Sequence, residues 1–180
     1  MDDLAEHDTP IEQTAYHEAG HAVVSVLVGL EFEYVTIDEN GDALGHVHYP
    51  GWQELVRRAG DDPKEAGWGL SDSHHLDDAS PAAVRWFEQH AVSALAGWHA
   101  EKMGTGVDNH EGREHDLETA HEFAMALAGA EETQTILTRA ESDAERLLRE
   151  NWQAVQMVAE ALIAKRKLTH LEVIEQMEAE

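Results

Sequence analysis

His17, Glu18 and His21 stand in the pattern His-Glu-x-x-His, inside Ala15-Tyr16-His17-Glu18-Ala19-Gly20-His21-Ala22-Val23-Val24. On a helix, positions four apart share a face, so both imidazoles would point the same way and hold one metal ion. Glu18 follows His17 on the same turn and would reach a water on that metal. Two imidazole ligands with a carboxylate as general base form the arrangement of zinc peptidases. At this His and Glu content the bare pattern arises by chance about 0.12 times per chain, so its context matters.

The context places the pattern on a buried helix. Thr9-Pro10-Ile11-Glu12 reads as a helix start, with Thr9 as N-cap, Pro10 in the first helical position and Glu12 closing a capping box. From Ala22 to Leu30 the chain is apolar almost all round, as in a core helix, and Gly29 stands near its end.

Composition narrows the chemistry. The 180 residues suffice for one domain with a real core, and they include no cysteine, so a zinc ion must be held by His, Asp or Glu. A formal net charge of −25 repels nucleic acid and anionic lipid, and otherwise speaks to solubility. The acidic start, Met1 to Glu6, is unlike a secretory leader, and no apolar run is long enough to span a bilayer. The expectation is a cytoplasmic protein with no membrane or nucleic-acid partner.

Around the first helix the chain predicts a small sheet and several further helices. Phe32 to Ile37 and Ala43 to Tyr49 read as a hairpin joined by Asn40-Gly41-Asp42, ended by Pro50-Gly51. Leu44, His46 and His48 alternate with Gly45, Val47 and Tyr49 across its second strand. Residues 50–80 form a long Gly-, Pro- and acid-rich loop, with a short helix near Glu54 to Ala59. His74-His75 lie in that loop and, being adjacent, do not converge on one ion in regular geometry. Ser80-Pro81 opens a helix to about Met103, stopped by Gly104-Thr105-Gly106. Another helix covers about Arg113 to Ala128, with Leu117, Ala120, Ala124 and Leu127 at helical spacing. After Gly129-Ala130 a long helix runs from about Glu132 to Ala164, and Thr169-His170-Leu171-Glu172 is a capping box opening a last one. The expected fold is mainly α (α+β), a helical zincin-like domain with a small hairpin beside the His-Glu-x-x-His helix.

A catalytic zinc wants a third protein ligand. A metzincin would place a His at position 27, which is Leu27, so that class is excluded. The densest remaining cluster is Glu111, Glu114, His115, Asp116, Glu118 and His121, and composition does not choose among them.

The chain resembles the zinc peptidase domain of the FtsH-type ATP-dependent proteases. The likeness begins at Ala15 to Val23 and continues through Val35-Thr36-Ile37 and Ala43-Leu44-Gly45. It resumes at Gly97-Trp98-His99-Ala100-Glu101, then at Asp116-Leu117-Glu118-Thr119-Ala120-His121-Glu122-Phe123-Ala124, and reaches Ala144 to Thr169. These segments span most of the chain in the family's order. The resemblance implies Asp116 as third zinc ligand beside His17 and His21. Glu101 is a candidate for orienting a ligand imidazole. The strand at Leu44, Gly45 and His46 would pair with an extended substrate, and His46, His48, His99 or His121 would be the histidines available as oxyanion donors.

The departures bear on substrate handling. The family's ATPase module and membrane segments are not in this sequence. Trp98 and His99 replace an Arg and an Ala, and the loop at 50–80 is enlarged. The expectation is an ATP-independent zinc metalloendopeptidase acting on peptides or unfolded segments, alone, as a homo-oligomer, or with a separate ATPase. Its rival is a weak or inactive zinc-binding regulatory module; the presence of Glu18 speaks against that.

Overall fold

A computed structural model describes residues 10–38, 45–50 and 81–179. The described elements are α1 (Pro10–Val28), β1 (Tyr34–Thr36), β2 (His46–His48), α2 (Pro81–Ala94), α3 (Ala96–Thr105), α4 (His110–Glu150), α5 (Trp152–Lys165), β3 (Lys167–Thr169) and α6 (His170–Glu178). The domain is thus mainly helical, with a small antiparallel sheet beside α1. Thr9, the Asn40-Gly41-Asp42 turn, Leu44, and residues 51–80 with His74 and His75 lie outside the described residues.

Helix α1 is the central element. Ala22, Val23, Val24 and Ser25 are buried in succession, which requires neighbours on every side. Helices α3 and α5 supply most of that cover, with α2 alongside. Gly20 lets α1 and α3 cross closely: a methyl group there would sit 2.5 Å from the Ala100 Cβ and 2.7 Å from the Ala96 carbonyl oxygen. Gly29, at φ +83°, ends the helix in the left-handed region. Its N–H donates to Val26 O and that of Leu30 to Ser25 O, closing a Schellman-type cap. On the far side Leu148, Val155, Val158 and Leu162 are fully buried. Each such side chain contributes roughly 1.5–3 kcal/mol on leaving water.

The sheet has three strands in the order β2-β1-β3. Val35 pairs with Val47 and with Leu168, and Val35 and Leu168 are buried. Tyr34 pairs with His48, and the two rings stack at 4.9 Å. β3 is an addition to the expected hairpin. Arg166, at φ 69°, turns the chain out of α5; its carbonyl accepts from Ile37 N–H, and its guanidinium reaches Asp38 Oδ1. Three residues with Lys and Thr facing solvent carry almost no strand pattern, so only pairing to β1 creates this strand.

Two helix boundaries differ from expectation. The helix from Pro81 breaks at Leu95 into α2 and α3, while its end is as expected: Gly106 adopts φ 74° and donates to Lys102 O. Helix α4 runs unbroken for 41 residues through Gly129-Ala130. An interior glycine costs a helix only about 1 kcal/mol, which good helix formers on both sides absorb. The break comes instead at Asn151, whose side chain donates to the Leu147 carbonyl. The Thr169–Glu172 capping box forms as expected.

Beneath the sheet, His90 of α2 is buried among Trp86, Tyr49 and Phe123, with ring centroids at 4.0, 4.8 and 4.9 Å. Burial pushes its pKa down to about 4. An unfolded chain protonates this ring near pH 6.5, so between about pH 6.5 and 4 the unfolded state takes up a proton that the native state refuses. Stability is therefore full above pH 6.5 and lost as pH falls towards 4, by about 3 kcal/mol for this residue. His90→Phe should flatten this part of the profile in denaturant titrations across that range. An identical pH dependence in parent and variant would show that His90 contributes nothing to it.

Candidate metal centre

The pattern residues sit two turns into α1, where the helix passes under α3 and the start of α4. His17 Nδ1 lies 3.1 Å from Glu101 Oε2 and His21 Nδ1 lies 2.8 Å from the Ser93 carbonyl oxygen. A carbonyl only accepts, so His21 carries its proton on Nδ1, and the Glu101 carboxylate selects the same tautomer for His17. Both Nε2 atoms then present bare lone pairs. They stand 3.1 Å apart, and Asp116 Oδ1 lies 3.5 Å from one and 3.4 Å from the other.

Three lone-pair donors facing one another repel unless a cation stands among them. Their separations also fit one: a tetrahedral ion with bonds near 2.05 Å spaces its ligands by about 3.3 Å. Among the described residues, His17, His21 and Asp116 are the group placed to hold a metal ion. The donor set of two nitrogens and an oxygen suits zinc. With Glu18 beside it, the arrangement matches the His-Glu-x-x-His zinc site of metalloendopeptidases.

The electrostatics say the same. Burial by itself lowers the His17 and His21 pKa values, but Asp116, joined at His17 by Glu101, outweighs it and raises both. Burial works against the Asp116 carboxylate too, yet His21 and His17 hold it well below the usual range. The cleft is a place that calls for positive charge.

Supporting groups fix each donor. Asp116 is buried in the second turn of α4, and its Oδ2 accepts from the Trp98 N–H at 3.0 Å. Asn109 caps α4 by accepting from Gly112 N–H, and its amide points at Glu101 Oε2 at 3.4 Å. Glu114, His115 and Glu118 are exposed, and Asp108 is engaged by Lys102 and the Trp98 indole.

Glu18 is buried, and its Oε2 has no hydrogen-bond partner among the described residues. Burial pushes its pKa up, with His17 and His21 pulling the other way. Gly45 leans on it: a methyl group there would lie 2.8 Å from Glu18 Cγ and 2.9 Å from Oε1. The start of β2 therefore runs directly over the acid.

The other histidines have their contacts elsewhere. His46 and His48 gather around Tyr34 on the outer face of the sheet, His99 faces Glu141 and Glu145 of α4, and His121 is exposed. No role at the site follows from the sequence for Gly97, which opens the segment Gly97 to Glu101, for Tyr49 of the second strand, or for Ser93. Gly97 had one legible signal, a glycine inside an otherwise buried helical segment; Ser93 acts through its backbone and had none.

No protein-family model matches the chain, and no curated protein matches it. Among the described residues no helix is long and apolar enough to cross a membrane.

Proposed function

We propose that this protein is a zinc metalloendopeptidase of the FtsH-peptidase type, hydrolysing peptides or unfolded segments without drawing on ATP. The observation that carries the reading is the convergence of His17 Nε2, His21 Nε2 and Asp116 Oδ1 beside the buried Glu18 carboxylate. Zinc, when bound, supplies Lewis acidity towards the scissile carbonyl and lowers the pKa of a water to about 7. The protein's own groups do the rest. Glu18 takes the proton of the attacking water and returns it to the leaving amine. Its raised pKa brings proton uptake closer to neutral pH than for a solvated glutamate. Glu101 holds the His17 ring through Nδ1. β2 is an edge strand of the described sheet, and its start overlies Glu18, so an extended substrate pairing along Gly45 and His46 would bring its backbone to the acid. We place the activity in the cytoplasm, with a homo-oligomer or a separate ATPase as possible assemblies. The rival binding module would leave the buried Glu18, whose Oε2 has no hydrogen-bond partner among the described residues, without a task.

Casein, an unstructured substrate, tests the reading. The parent should cleave it, a chelator should stop cleavage, and zinc should restore it. Asp116→Asn should weaken zinc binding and abolish cleavage, whereas Glu114→Gln and Glu118→Gln, being exposed, should be nearly silent. An Asp116→Asn protein that binds zinc as tightly as the parent in a chelator competition would remove Asp116 from the site.

A further inference from the structure

Behind His21 lies a buried triangle of hydroxyl groups drawn from α1, α2 and the residue after β2. Ser25 Oγ of α1 is 2.7 Å from Tyr49 Oη and 2.8 Å from Ser93 Oγ of α2, and Tyr49 Oη is 3.0 Å from Ser93 Oγ. Ser25 Oγ also donates to the His21 carbonyl at 2.7 Å. That proton is then spent, so at the 2.7 Å contact Tyr49 is the donor and Ser25 the acceptor. Ser93 is held at both ends: its hydroxyl is in the triangle, and its carbonyl takes the His21 Nδ1–H. Ser25 and Ser93 are buried, and α1 and α2 pack together here.

We propose that Tyr49, through the Ser25–Ser93 hydroxyl pair, is a positioning residue that fixes the tautomer and placement of His21 and ties this metal ligand to the strand flanking Glu18. The triangle holds the Ser93 backbone where its carbonyl must be, and that carbonyl leaves Nε2 of His21 free for metal. Tyr49 follows β2 directly, while Gly45, just before β2, lies against Glu18. One short strand is thus braced on the base at its start and on the support of a ligand at its end. Docking of a peptide along β2 would be felt at both. The Tyr49 ring is seated independently of its hydroxyl, edge-on to Phe32 at 6.4 Å and to His90 at 4.8 Å, so Tyr49→Phe removes the hydrogen bond and keeps the packing.

This inference rests on the metal-site reading above, and its test needs no substrate. Zinc affinity is measured by chelator competition on the full chain, and the ligand field by the visible spectrum of the cobalt-substituted protein. Partners directly bonded to a ligand are worth about 10–100-fold in metal affinity. Tyr49 acts one bond further out, so Tyr49→Phe and Ser93→Ala should each weaken zinc about three- to tenfold and shift the cobalt bands. Thr36→Val is the control. It deletes another buried hydroxyl, which donates to the Arg166 carbonyl in the sheet turn, and should lower the melting temperature with zinc affinity unchanged. Parent-like affinity and spectrum in Tyr49→Phe and Ser93→Ala, whatever their melting temperatures, overturn the positioning role. If Tyr49→Phe fails to fold, Ser93→Ala decides alone. A parent that binds zinc but cleaves nothing refutes the peptidase and leaves this inference standing; a parent that takes up no zinc refutes both.

Discussion

Gly97→Ala is expected to strip zinc from the protein at a modest cost to its metal-free fold. Gly97 lies in the first turn of α3, opposite the two ligand imidazoles. A Cβ at this position would stand 2.3 Å from His21 Nε2 and 2.7 Å from His17 Nε2. The first of these is near a zinc–nitrogen bond length of about 2.0–2.1 Å, and both lie far inside van der Waals contact. The methyl group would therefore occupy the ground where the lone pairs converge. The rings could escape only by breaking the Glu101 or Ser93 hydrogen bonds that orient them. We expect zinc affinity to fall by at least about 100-fold, beyond the effect of losing one supporting hydrogen bond. The helix preference of alanine over glycine, at most about 1 kcal/mol, offsets only part of the roughly 1–3 kcal/mol for breaking a buried hydrogen bond, so the metal-free fold should weaken slightly. The difference in size between two measurements makes the prediction sharp. Chelator competition should show the large loss, and thermal unfolding of the metal-free protein only a small one. Retention of parent affinity would mean that Gly97 does not face the ion.

Glu18→Gln should separate binding from chemistry in the other direction. The side chain is not one of the three converging donors, so zinc should remain at parent stoichiometry. The amide keeps the shape that fits under Gly45, where Glu18 Cγ and Oε1 leave no room for a methyl group. It also removes a carboxylate whose charged form burial disfavours, so the fold should not weaken. What is lost is the acceptor for the water's proton. General-base removal typically costs about 10²–10⁴ in rate, and casein cleavage should fall by that factor. Full activity in a zinc-loaded Glu18→Gln protein would remove Glu18 from the mechanism. Activity absent from the parent as well would favour the binding-module reading.

The sequence by itself determined the parts of this protein that local rules govern. Helix α1, its cargo of His17, Glu18 and His21, the glycine stops at Gly29 and Gly106 and the Thr169 capping box follow from spacing and backbone preference over a few residues. The third ligand was legible only as one acid in a cluster, with the family resemblance singling it out. Folding selects Asp116 from its exposed neighbours by burying one turn of α4 against α3, and it does so with the Trp98 N–H, a donor that no side-chain pattern records. The tertiary structure alone decided the rest. β3 exists because Arg166 turns α5 back onto β1; Gly97 matters because a Cβ would fill the space between two imidazoles about 80 residues away in sequence; Ser93 matters through a carbonyl. Each of these rests on a backbone group, or on the space that a missing Cβ leaves, brought together with a distant segment. Side-chain identity encodes neither, so they come into being only when the helices pack.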